Sequence, residues 1–139
     1  MIYLLDTNAI SEEIRPTPNP GWRRWSLTVT PDDVAMSAVT LAEIRRGALR
    51  LDHGRRRRAI EDWIETSLVL RMGARILPVD AAIAAYWAAA MVQSEAAGVP
   101  LAANDGHIAA TALCHDLTLV TRDARDFRGL DLRVLNPWT

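Results

Sequence analysis

The sequence contains no lysine; all 16 of its basic residues are arginine. That absence removes several functions. A P-loop NTPase grips its phosphates with a lysine, and Schiff-base chemistry needs a lysine amine. Receiver-type phosphotransfer domains and aspartyl phosphatases also gather acids at strand ends, and they ordinarily use a lysine too. Cysteine is almost missing as well. Cys114 stands alone, so there is neither a disulfide framework nor a zinc ligand set, and the composition suits a reducing cytosol. Cys114 itself reads as a small buried hydrophobe. Nor is there an excess of charge: the formal net charge is −1, which provides no overall basic field for nucleic acid. Long apolar runs are lacking too. The most apolar stretch, Ala81 to Val92, is too short to span a bilayer, and the opening Met-Ile-Tyr-Leu-Leu-Asp reads as a strand rather than a signal peptide. A cytoplasmic protein with no membrane partner is expected.

What is present points to one α/β domain over residues 1–139. Half of the residues are hydrophobic, enough for a core of its own. Ile2 to Leu5 is an apolar run ending at Asp6, as a buried first strand would. Thr7 and Asn8 offer caps for a short helix through Ile14, and three prolines between Arg15 and Pro20 impose an extended connection. Trp22, Trp25 and Val29 mark a second helix or turn. Val34 to Val39 reads as a strand and Leu41 to Leu51 as a helix. After His53-Gly54, Ile60, Trp63, Ile64 and Leu68 fit the i, i+3, i+4 pattern of a long amphipathic helix. Arg75 to Val79 is a strand, with Pro78 at an edge or end. An Ala-rich helix runs from Asp80 to about Ala97 and stops at Gly98 and Pro100. Asn104 to Cys114 is a further helix; Leu117 to Thr121 and Leu132 to Leu135 are the last strands. This alternation predicts a mostly parallel central sheet covered on both faces, a three-layer α/β/α sandwich.

Four carboxylates, Asp6, Glu43, Asp105 and Asp123, each fall where a strand pattern ends or a helix pattern begins. Each has a bland explanation. Asp6 starts an Asp-Thr-Asn cap, Thr40-Leu-Ala-Glu43 matches a capping box, Asp105 suits a helix N-terminus, and Asp123 caps the turn Ala124 to Phe127, with Asp126 completing a box of its own. A parallel sheet would nonetheless collect all four along the edge where open α/β folds build their sites. Carboxylates so gathered raise one another's pKa unless a cation neutralises them. All-oxygen clusters of this kind suit Mg²⁺ or Mn²⁺.

Four motifs occur in order: Leu-Leu-Asp6-Thr7-Asn8; Ser37-Ala-Val-Thr40-Leu-Ala-Glu43; Asn104-Asp105-Gly-His-Ile108-Ala-Ala-Thr-Ala112; and Leu119-Val-Thr121-Arg-Asp123-Ala-Arg-Asp126-Phe127. Together they resemble the PIN-domain family, and within it the VapC/FitB-like toxins of bacterial toxin–antitoxin pairs. The resemblance covers essentially the whole chain. It implies a Mg²⁺-dependent endoribonuclease, with Mn²⁺ as a substitute, that leaves a 5′-phosphate and a 3′-hydroxyl. Asp6 and Asp105 would be its principal metal ligands. Glu43 and Asp123 would bind a second ion or hold waters on the first, Thr121 would orient a carboxylate or water, and Asp126 would be a supporting acid. The implied partners are RNA, a second copy of the chain, and a cognate antitoxin, up to a larger complex of toxin and antitoxin. The antitoxin would cover a groove along the first helices and reach the acids with an arginine. The competing expectations are an inactive nucleic-acid-binding module, a DNA-directed nuclease of the same fold and, last, a phosphotransfer receiver.

Other residues carry two readings apiece. Arg55 to Arg58 is either a solvated helix face or a set of phosphate contacts that steer a strand without reading it. Arg122, Arg125 and Arg128 flank the Asp123 motif and would line the same groove. His107 follows Asp105 closely, but imidazole is an unusual Mg²⁺ ligand. Trp22 and Trp25 are core aromatics or antitoxin anchors. The Ala-rich helix is either central and buried or a dimer face.

Overall fold

In a computed structural model describing residues 1–139, five short parallel strands form the centre. They are β1 (Tyr3–Leu5), β2 (Val34–Ser37), β3 (Ile76–Leu77), β4 (Thr118–Val120) and β5 (Val134–Leu135), in the spatial order β3-β2-β1-β4-β5. The helices are α1 (Thr7–Ser11), α2 (Pro20–Ser26), α3 (Ala38–Leu49), α4 (Arg55–Trp63), α5 (Val69–Met72), α6 (Ala81–Ala96) and α7 (Ala103–Cys114). The expected α/β/α sandwich is present, and its sheet is parallel throughout.

Alternation along the strands builds the two covered faces. Leu4, Ala35, Leu77 and Leu119 point into one apolar cluster with Ala90, Ile108, Ala109 and Ala112 of α6 and α7. Leu5, Val34, Met36 and Ile76 join the other, with Ile10, Ile44, Ala48, Ile64, Leu68 and Met72. Because β1 lies between β2 and β4, the chain runs outward from it in both directions. The strand order therefore reverses at the carboxyl ends of β1 and β4, where open α/β sheets form their ligand clefts.

Several elements differ from expectation for local reasons. Helix α3 starts at Ala38 because the Ser37 hydroxyl caps it, accepting from the Val39 amide at 3.0 Å. Thr40 thus lies inside the helix, and the Thr40–Glu43 capping box does not form. The amphipathic helix after Gly54 is α4 and α5 joined by a π-helical turn, Ile64–Leu68, that carries the buried Ile64 and Leu68. Strand β3 is only two residues long and lies at the sheet edge, since Pro78 has no amide for a ladder. The Ala-rich α6 is not central. It buries Ile83, Ala90 and Ser94 and leaves Tyr86 and Val92 exposed.

Candidate active site

Asp6 leaves β1 and caps α1: one oxygen accepts from the Thr7 amide at 2.8 Å, the other from the Thr121 hydroxyl at 2.7 Å. Asp6 is 5% exposed. Its bland reading as a cap is therefore correct without being the whole account, because Thr121 comes from the neighbouring strand end. Burial pushes the Asp6 carboxyl above the ordinary carboxylate range. The bonds from Thr121 and Thr7 pull it back, and the charges of Glu43 and Asp123 add to the rise.

Thr7 and Asn8 extend this frame. The Thr7 hydroxyl donates to Glu43 at 2.8 Å, so Glu43 faces α1 rather than its own helix start. The Asn8 side-chain amide donates to Asp123 at 3.1 Å and to Thr121 at 3.3 Å, while its oxygen accepts from the Arg122 amide at 3.1 Å. The Asp123 amide donates to Thr121 at 3.0 Å. Asp123 therefore does not cap the turn that follows it; no side-chain cap bond is made there. Sequence reasoning gave Thr7 and Asn8 only capping roles. The signal for more was their place beside Asp6, where a polar side chain on the first helical turn faces the cleft.

Asp105 sits in the first turn of α7 and accepts no hydrogen bond from the protein. Burial and then the negative charges of Asp6, Glu43, Asp126 and Asp123 push its pKa up to about 6. The other acids named from the sequence thus all act on this one carboxyl. Gly106 lets α7 come this close to α6, because a Cβ there would lie 2.5 Å from the Met91 sulfur and 2.9 Å from the Trp87 indole nitrogen.

The donor set is chemically right for a hard divalent ion: all oxygen, and with no arginine paired to Asp6, Glu43 or Asp105. Only Asp123 has a cationic neighbour, Arg122 at 4.0 Å. No three His, Cys, Asp or Glu side chains converge closely enough to enclose an ion by themselves. That pattern fits Mg²⁺, which is commonly held by one or two carboxylates and keeps several waters. The Thr40 hydroxyl, buried one turn before Glu43, has no hydrogen-bond partner within the protein.

The remaining candidates divide clearly. His107 is turned away into structure, its Nδ1 2.9 Å from the Ala103 carbonyl and its ring stacked on Trp87 at 5.1 Å. Trp22 donates to the Ala9 carbonyl at 3.0 Å, and Trp25 packs edge-on against Tyr3. Both also line an apolar groove of about 400 Å³ with Leu5, Ile10, Leu68 and Met72. Of the Arg55–Arg58 run, only Arg57 is tied down, to Glu61 at 2.7 Å. Glu12, which no sequence motif singles out, is a buried carboxylate with a purely structural set of partners: Trp138, Asn19 and Arg15. Burial would raise its pKa, but those bonds and the arginine charge outweigh it and hold the group below its ordinary value.

Comparison with known proteins agrees with this architecture. The PIN domain family model matches residues 3–131. Toxin FitB of Neisseria gonorrhoeae is 42% identical over 137 residues, covering 99% of each chain. VapC ribonuclease Y4jK of Sinorhizobium fredii is 33% identical, covering 99% of this chain and 98% of that protein. The crystal structure of FitAcB from Neisseria gonorrhoeae superposes with a TM-score of 0.93 at 41% identity, covering 99% of each chain. Other solved neighbours of this fold include toxin–antitoxin complexes. With the family model spanning β1 to β4 and all the acidic turns, the chain belongs to the PIN-domain family, alongside the FitB- and VapC-like toxins.

Proposed function

We propose that this protein is a metal-dependent endoribonuclease and the toxin of a toxin–antitoxin pair. The observation that carries the reading is Asp105: burial and four other carboxylates raise it to about 6, and no arginine is paired with Asp105, Asp6 or Glu43. Such an arrangement is costly unless a cation completes it. Asp6 and Asp105 would hold Mg²⁺, with Mn²⁺ substituting, while Glu43 and Asp123 hold waters around it or a second ion. Bound there, the ion would offset phosphate charge and make water a better nucleophile at neutral pH.

The protein's own part is positioning. Thr121 fixes the Asp6 carboxylate, Asn8 fixes Asp123, and Thr7 fixes one oxygen of Glu43. The second Glu43 oxygen accepts no hydrogen bond and is free to take a proton from the attacking water. No histidine is needed. The relatives named as ribonuclease and toxin support RNA as the substrate. The groove containing Trp22 and Trp25 suits the apolar side of an antitoxin, whose arginine would reach the acids. The exposed Ala-rich face of α6 suits a second copy of the chain.

The test is cleavage of total RNA by antitoxin-free protein in Mg²⁺, Mn²⁺ or EDTA, beside Asp6→Ala and with single-stranded DNA in parallel. Discrete RNA fragments that require both metal and Asp6 are expected. Cleavage of DNA alone would make it a DNA-directed nuclease. RNA binding without cleavage in any metal would leave a binding module.

A further inference from the structure

Beside the acids runs a groove of opposite character. It measures about 860 Å³, and Ser11, Ile14, Arg15, Arg56, Ile60 and Trp63 contribute to its wall, which contains no carboxylate. It starts close to the candidate active site. Ser11 lies four residues after Thr7 on α1, on the same helical face and about 6 Å along the axis, and Thr7 holds Glu43.

Much of the basic charge around this groove is without an ion-pair partner. Arg55, Arg56 and Arg58 are exposed and form no ion pair, and neither does Arg46, one turn beyond Glu43 on α3. Four arginines open α4 with no acid in its first turn, although a helix N-terminus already carries partial positive charge. Arg15 is bound to the buried Glu12 through one guanidinium nitrogen, which leaves other donors on its 58%-exposed side chain free. Trp63 is partly buried against the second apolar cluster, so its ring is held in place while part of it faces the groove. Basic side chains along a groove with a fixed aromatic surface are what a single-stranded nucleic acid uses: phosphates on the cations, a base on the ring.

We propose that this groove binds the single-stranded RNA substrate next to the cleaved bond, with Arg56 and Arg15 on phosphates and Trp63 beneath a base. The proposal rests on the ribonuclease reading above. It assigns the strand's path from the acids along α1 to the start of α4. Phosphate contacts position the strand without reading its sequence, so any preference at this point comes from the base laid on Trp63.

The experiment measures binding of a fluorescent single-stranded RNA by anisotropy in EDTA, where no cleavage occurs, over a range of salt concentrations. Arg56→Gln is compared with wild type and with Arg24→Gln, which removes the same charge from an exposed position on α2 outside the groove. Arg56→Gln should weaken binding several-fold and lower the salt slope by about 0.7 for each phosphate it no longer neutralises; Arg24→Gln should change neither. Trp63→Leu should weaken binding at an unchanged slope. If Arg56→Gln binds like wild type while wild type still cleaves RNA, the groove assignment is overturned and the ribonuclease reading stands. Wild type that neither binds nor cleaves RNA would remove the reading itself. If Arg56→Gln spares RNA binding but weakens capture by the antitoxin, the groove belongs to the protein partner, which also overturns the proposal.

Discussion

The two sides of the acidic edge are built differently. On the β1 and β4 side, Asp6 has a donor on each oxygen, Thr121 serves Asp6, Asn8 and Asp123 at once, and Thr7 holds Glu43. On the α7 side, Asp105 has no hydrogen bond and a pKa pushed up to about 6. One side is tied together by hydrogen bonds before anything binds; the carboxyl on the other is free of them and keeps its proton to higher pH. Preorganised groups need no rearrangement when a ligand arrives. A carboxylate with a raised pKa beside them would let the site accept positive charge without carrying full repulsion beforehand. Division of this kind predicts that equivalent-looking acids will behave differently when mutated.

The largest effect should come from Asp105→Asn. RNA cleavage should fall by more than about 100-fold, beyond what loss of a merely supporting partner costs. Stability should move the other way. The folded state keeps the Asp105 proton to about 6, whereas the ordinary value for the group is 3.8. Folding therefore favours the protonated form of this group, and its contribution to wild-type stability falls as pH rises between those two values. Asparagine does not titrate, so the variant's melting temperature in EDTA should match wild type below the lower value, gain on it through that window and remain higher beyond it. A lower melting temperature at neutral pH would mean that Asp105 is held by favourable contacts, and the contrast with Asp6 would fail.

Thr121→Val tests the rigid side and should have a smaller effect on cleavage, about 10–100-fold, as for loss of a ligand-orienting partner. Here stability should fall. One Asp6 oxygen is left buried without a donor, at a cost of about 1–3 kcal/mol in chemical denaturation. Unchanged stability would show that Asp6 does not need this hydroxyl. The smallest effect belongs to His107→Ala. Its ring lies against Trp87 and its nitrogen against the Ala103 carbonyl, so cleavage should stay within about twofold, the scale of a surface substitution. A large loss would bring histidine into the chemistry.

The same division explains how far the sequence could be read. The alternation of strands and helices was legible, because Leu4, Ala35 and Leu119 face one cluster while Leu5 and Met36 face the other. The acids were legible as positions at strand ends and helix starts. What joined them was not. Thr7 and Asn8 look like capping residues locally, and only the pairing of β1 with β4 brings Asn8 to Asp123. The Thr40–Glu43 box was misleading because Ser37, three residues earlier, caps the helix first. The π-helical turn left no mark in the pattern, since Ile64 and Leu68 suit an ordinary helix equally well. Nor could spacing alone show that α6 would lie at the surface, because alanine fits a buried or an exposed helix alike.

The bond from Thr121 to Asp6 spans 115 residues of chain. Central strand β1 is synthesised long before its β4 partner. Contacts this distant in sequence close late in folding. During synthesis, at about 5–20 residues per second, a nascent chain therefore carries Asp6, and then Glu43, for some time before Asp105, Thr121 and Asp123 exist to meet them. A protein that attacks RNA would in this way stay inert until β4 and the turn after it have been made, and a truncated product ending before β4 would be harmless to the cell that made it.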